Sequence, residues 1–76
     1  MKISVVMPKL GFSMTEGVLK EWLVTDGCAV KEGDIIYTLE SVKALQEIES
    51  PGTGVLRIIA AEGETYQVGE VLGEII

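Results

Sequence analysis

A displacement of 36 residues lays the second half of this chain over the first. Gly63, Gly69, Glu70, Val71, Leu72 and Ile75 stand 36 positions after Gly27, Gly33, Asp34, Ile35, Ile36 and Leu39. Turn glycines and aliphatic strand residues repeating together at one spacing indicate two copies of a single β-rich unit fused in tandem. The joint between the copies is Ser41-Val42-Lys43-Ala44. A lysine at such a seam is a candidate for an exposed, presented amine rather than one more solvated charge.

The 76 residues leave room for one domain, residues 1–76, near the lower limit for a self-sufficient core. Hydrophobic residues make up 47% of the chain, enough to form one. Aliphatic and β-branched runs span Ile3 to Met7, Val18 to Val24, Ile35 to Glu40, Leu45 to Glu49, Val55 to Ala60 and Val71 to Ile75. No stretch sustains helical spacing, so these runs predict strands. Between them, Asp26-Gly27 and Glu62-Gly63 place glycine where a turn needs positive φ, and Glu32-Gly33-Asp34 recurs as Val68-Gly69-Glu70. The pattern predicts an all-β fold: a flattened antiparallel barrel or sandwich of two small sheets with approximate two-fold symmetry.

The halves differ in one place. Pro51 reaches Gly54 in three steps, whereas Pro8 reaches Gly17 in nine, so the first half carries a six-residue insertion within Lys9–Glu16. The second half closes without it, which favours a role in recognition for Gly11, Phe12, Ser13 and Met14. The alternative is that Leu10, Phe12 and Met14 fold back over one end of the core. Strand reversals place the loop after Met7 and the connection after Glu40 at the same end, so Lys43 and the loop are expected to share a surface.

Catalysis has no foundation here: there is no histidine, no metal-ligand spacing, no phosphate-cradling glycine loop and no nucleophile elbow. Glu40 and Glu47 read as solvated flanks of a hairpin. Cys28 is the single cysteine, which excludes an internal disulfide and fits a small hydrophobe beside a turn. Trp22 reads as core. The six Lys and Arg are spread singly in a chain of net charge −6, which disfavours nucleic acid, and the N-terminal apolar run is too short to span a membrane. The expectation is a soluble intracellular protein, cytoplasmic or, in a eukaryote, in the mitochondrial matrix. What remains is covalent attachment at Lys43, where acylation would hang a prosthetic group from a long side chain.

Glu40-Ser41-Val42-Lys43-Ala44, followed by Ser50-Pro51 and Gly54, resembles the attachment hairpin of lipoyl domains. Gly27 lies 16 residues before Lys43 and Gly54 lies 11 after it, the two glycine positions that family keeps around its modified lysine. Met7-Pro8-Lys9-Leu10-Gly11 with Met14-Thr15-Glu16-Gly17 resembles the opening of the lipoyl domain of dihydrolipoamide acyltransferases. The resemblance covers nearly the whole chain. It departs at Val42, where the acyltransferases usually have Asp. There the segment is more similar to the glycine-cleavage H protein, a longer family with elements this chain lacks.

The resemblance implies a non-catalytic lipoyl/biotinyl-type carrier domain with lipoate in amide linkage to Lys43. It implies Glu40, Ser41, Val42 and Ala44 as recognition flanks, and Gly27 and Gly54 as structural positions. Its implied partners are a lipoate ligase or lipoyl transferase and the decarboxylase, acyltransferase and dihydrolipoamide dehydrogenase components of a 2-oxo acid dehydrogenase complex. Biotin is the alternative cofactor, although that family flanks its lysine with methionines where Val42 and Ala44 stand here. An unmodified interaction module is a third reading.

Overall fold

The computed structural model describes residues 2–41 and 44–76. Eight strands run in the order β1 (Ile3–Val6), β2 (Glu16–Trp22), β3 (Ala29–Val30), β4 (Ile35–Glu40), β5 (Leu45–Glu49), β6 (Gly54–Ile58), β7 (Glu64–Gln67) and β8 (Val71–Ile75). They form two four-stranded antiparallel sheets, ordered β1-β8-β6-β3 and β5-β4-β2-β7. Exchanging each strand for the one four places on in the chain turns one order into the other. The all-β, quasi-two-fold architecture expected from the repeat is the one observed.

The symmetry extends to single hydrogen bonds. Gly27 N–H donates to the Leu56 carbonyl and Gly63 N–H to the Leu19 carbonyl, each at 2.7 Å. Ile58 N–H donates to Asp26 Oδ1 at 2.7 Å, and Trp22 N–H to Glu62 Oε2 at 2.8 Å. Gly27 and Gly63 adopt φ of +88° and +81°, which explains why the repeat keeps glycine at both turns.

Register reveals where the repeat is offset. Val5 pairs with Gly73, and Ile48 pairs with Tyr37, the residue 36 positions before Gly73. Strand β5 therefore corresponds to β1 at a spacing of 43. Leu56 pairs with Ile75 as Leu19 pairs with Leu39, so β6 corresponds to β2 at a spacing of 37 there. The difference of six is the insertion, now located between β1 and β2.

Two strands were not expected, and three expected ones end early, the first at Val6 rather than Met7. Ala29–Val30 and Glu64–Gln67 contain no aliphatic run. They are strands because β3 pairs with β6 and β7 with β2. The runs expected to reach Val24 and Ala60 stop at Trp22 and Ile58, where a turn carboxylate takes the backbone amide in place of a neighbouring strand.

The core is built from both halves: Leu19, Ile36, Tyr37 and Leu39 from one and Leu56, Leu72 and Ile75 from the other, with Val5, Met7, Val30 and Ala60 completing it. Tyr37 and Gly73 occupy equivalent positions. The Tyr37 ring lies against Trp22, with centroids 5.3 Å apart, and a Cβ on Gly73 would approach the same indole at 3.4 Å. Trp22 packs against this core half-buried, its Nε1–H donating to the Ala60 carbonyl at 3.0 Å, which accords with a core role. Cys28 packs there as well, half-buried beside the Gly27 turn.

Candidate functional site

The connection from β4 to β5 is the seam of the repeat. Strand β4 ends at Glu40, which pairs with Leu45, the first residue of β5. Beyond that pair Ser41 N–H donates to the Ala44 carbonyl at 2.8 Å and the Ser41 hydroxyl to the same oxygen at 3.3 Å. Val42 and Lys43, the two residues between them, lie outside the described residues. Around them Glu40, Ala44 and Leu45 are exposed and Ser41 is half-buried. Glu47 faces Thr38 across the hairpin and is exposed, as is Glu40, in keeping with solvated flanks.

The inserted loop returns to the fold beside this seam. Val18 stands opposite Glu40, and Glu16, Gly17 and Val18 line a shallow cleft with Glu40, Ser41 and Thr65. The two ends of the loop are tied to one segment: Gly69 N–H donates to the Met7 carbonyl at 2.9 Å and Val68 N–H to the Thr15 carbonyl at 3.0 Å. The loop and the connection after Glu40 thus occupy one end of the molecule. The middle of the loop lies apart from that cleft, with Lys9, Leu10, Gly11 and Phe12 lining a hollow of their own.

Local chemistry divides the loop's apolar residues. Met14 N–H donates to the Gly11 carbonyl at 3.2 Å, which makes Gly11-Phe12-Ser13-Met14 a turn with Phe12 and Ser13 at its corners. Phe12 is fully exposed in consequence. Met14 points the other way: it packs against the core, its sulfur accepts the Leu10 amide at 3.2 Å, and its Cε lies 3.0 Å from where a Gly17 Cβ would be. Of the three apolar residues expected to cover the core, Met14 alone does so. Leu10 and Phe12 remain exposed.

Below the loop, Tyr37 fastens the end of β1 to the other sheet. Its hydroxyl donates to the Val6 carbonyl at 3.4 Å, and burial pushes the phenol up to about 12. Gly54, the equivalent of Gly17, sits against the C-terminal strand, where a Cβ would come within 2.6 Å of the Ile76 carbonyl oxygen. This contact gives Gly54 its structural role, which its place after Ser50-Pro51 did not reveal.

The family model for biotin/lipoyl attachment, described as biotin-requiring enzyme, matches residues 3–75. The chain belongs to the biotin/lipoyl attachment family. Within that family, its fold superimposes on the lipoyl domain of the 2-oxoglutarate dehydrogenase complex from Azotobacter vinelandii with a TM-score of 0.79 and 31% identity, covering 97% of this chain and 95% of that one. It is 46% identical over 74 residues to the dihydrolipoyllysine-residue acetyltransferase component of the pyruvate dehydrogenase complex of Zymomonas mobilis, covering 95% of this chain. It is 36% identical over 76 residues to the succinyltransferase component of the 2-oxoglutarate dehydrogenase complex of Rickettsia bellii, covering 99% of this chain. This lipoyl-type domain spans 17% and 19% of the length of those two relatives.

Proposed function

We propose that this chain is a lipoyl carrier domain, with lipoate held in amide linkage by Lys43. The observation that carries the reading is the Glu40-Ser41-Val42-Lys43-Ala44 seam of a biotin/lipoyl fold, closed by Ser41 and Ala44 and bordered by exposed residues. These surroundings fit the group, because amide formation needs an amine that another enzyme can enclose without unfolding its carrier. Attached lipoate supplies acyl and electron transfer through its dithiolane, while the protein supplies presentation and no catalytic group of its own. Tethering raises the effective concentration of the cargo at successive active sites without a pocket in the carrier.

A lipoate ligase or lipoyl transferase is the modifying partner in this reading. Decarboxylase, acyltransferase and dihydrolipoamide dehydrogenase components of a 2-oxo acid dehydrogenase-type complex are the enzymes served. Glu40, Ser41, Val42 and Ala44 are the flanks those enzymes meet, and the Gly11–Met14 turn, with Phe12 foremost, is a second recognition element at the same end. Relatives described as dihydrolipoyllysine-residue acyltransferases support lipoate as the cargo. Intact-mass measurement after coexpression with a lipoate ligase and lipoate tests the reading: modified mass on wild type and none on Lys43→Arg is expected. An unmodified wild type, or a label on another residue, overturns it.

Biotin is a second reading because the family description includes biotin-requiring enzymes. Val42 and Ala44 weigh against it. Streptavidin and anti-lipoate blots of the same sample separate the two.

A further inference from the structure

Near the seam, β5 has little packing to hold its register. Leu45, Gln46 and Glu47 are all exposed, and only Ile48 turns toward the core. In its symmetry mate β1, by contrast, Ile3 packs against the core and Val5 is buried. A strand whose inner face is anchored by one half-buried residue is weakly held in register, and a slip of one residue changes which residue lies at the turn. The β4–β5 pairing is also irregular between Ile35 and Tyr37, so register set at the far end is not carried uniformly to the seam.

Closure by Ser41 compensates. Its amide and hydroxyl both donate to the Ala44 carbonyl, fixing the residues on either side of the two-residue span. We propose that Ser41 is a positioning residue for the modification of Lys43. It acts by holding the β4–β5 register in which the modifying enzyme meets the amine, rather than by touching the cofactor. This rests on the lipoyl-carrier reading. A carrier whose competent register is only partly populated binds its modifying enzyme more weakly in proportion to the lost fraction, with turnover of the bound complex unchanged.

The test is steady-state lipoylation of the wild-type domain, Ser41→Ala and Ser41→Thr by a lipoate ligase with ATP and lipoate. The expected result is a KM for the domain raised about three- to fivefold in Ser41→Ala, with kcat unchanged, a melting temperature lowered by no more than about 5 °C, and near wild-type KM in Ser41→Thr, the size of one modest hydrogen bond. An unchanged KM in Ser41→Ala, or no recovery in Ser41→Thr, overturns the proposal. If the wild type itself is not modified, the carrier reading is what fails. Amide hydrogen exchange at position 41 and at Leu45 then decides the role of Ser41: faster exchange in Ser41→Ala supports register holding, and equal rates overturn it.

Discussion

The two β–β connections that follow equivalent edge strands, one from β1 to β2 and one from β5 to β6, begin alike and end differently. Ser50 in the second occupies the place of Met7 in the first. Both are buried and both carbonyls accept a turn glycine, Gly33 at 3.0 Å for Ser50 and Gly69 at 2.9 Å for Met7. Past the following proline, the second connection goes directly into β6. It is anchored by the Ser50 hydroxyl on the Gly52 carbonyl at 2.6 Å and by the Thr53 hydroxyl, which accepts the Glu32 amide at 3.0 Å. The first instead uses six more residues on a turn that packs Met14, half-buried, against the core and leaves Phe12 in water. The repeated features hold the fold, whereas the insertion adds one side chain to the core and leaves an aromatic ring on the surface.

The glycines that end the two connections should break the symmetry most. An added Cβ at Gly54 meets the Ile76 backbone carbonyl at 2.6 Å, whereas at Gly17 it meets the ends of the Leu39, Met14 and Met7 side chains at 2.7–3.2 Å. Backbone cannot move aside as side-chain ends can. Gly54→Ala is expected to cost about 3 kcal/mol and Gly17→Ala about 1 kcal/mol, measured by urea unfolding. Equal costs would show that Met14 and its neighbours are packed as rigidly as a strand.

The next contrast is Tyr37 against Gly73. Up to the ordinary phenol pKa near 10 both folded and unfolded chains keep the proton, so this group's contribution is constant. From there to about 12 the unfolded chain releases it while buried Tyr37 does not, and stability falls as pH rises. The loss levels off above that window at about 2–3 kcal/mol. Alkaline unfolding of wild type against Tyr37→Phe isolates it, and parallel curves would refute the burial argument.

Gly27→Val and Gly63→Val probe positions where symmetry holds. Neither Cβ meets an atom within 4 Å, so the cost is purely conformational at φ near +80° to +90°. Each is expected to lose about 1 kcal/mol or more, and by similar amounts, with a lowered melting temperature as the readout. Phe12→Ala completes the series with a stability change within about 0.5 kcal/mol. A larger loss would mean that its ring covers core in solution.

Much of this is legible in the amino-acid sequence. The repeat declared the two-fold fold because positive-φ turns need glycine and bury predictable aliphatic neighbours, leaving the same mark twice. Ala29–Val30 and Glu64–Gln67 left none, since their strand character comes from partners distant in the chain rather than from apolar alternation. In the loop, Phe12 and Met14 are equally apolar as letters. Only the Gly11–Met14 hydrogen bond, which exists in three dimensions, sends one outward and the other in. At the seam, the motif names Lys43 but says nothing of the bare face of β5, which requires knowing what β5 packs against.

Each sheet takes two strands from either half: β1 and β3 join β8 and β6, while β4 and β2 join β5 and β7. Gly27 and Gly63 complete the exchange by each donating to the opposite half's core leucine. An unfused single unit would therefore be an obligate homodimer with no stable monomer. In the joined chain, neither half can melt while its companion stays intact, so heating should yield one cooperative transition.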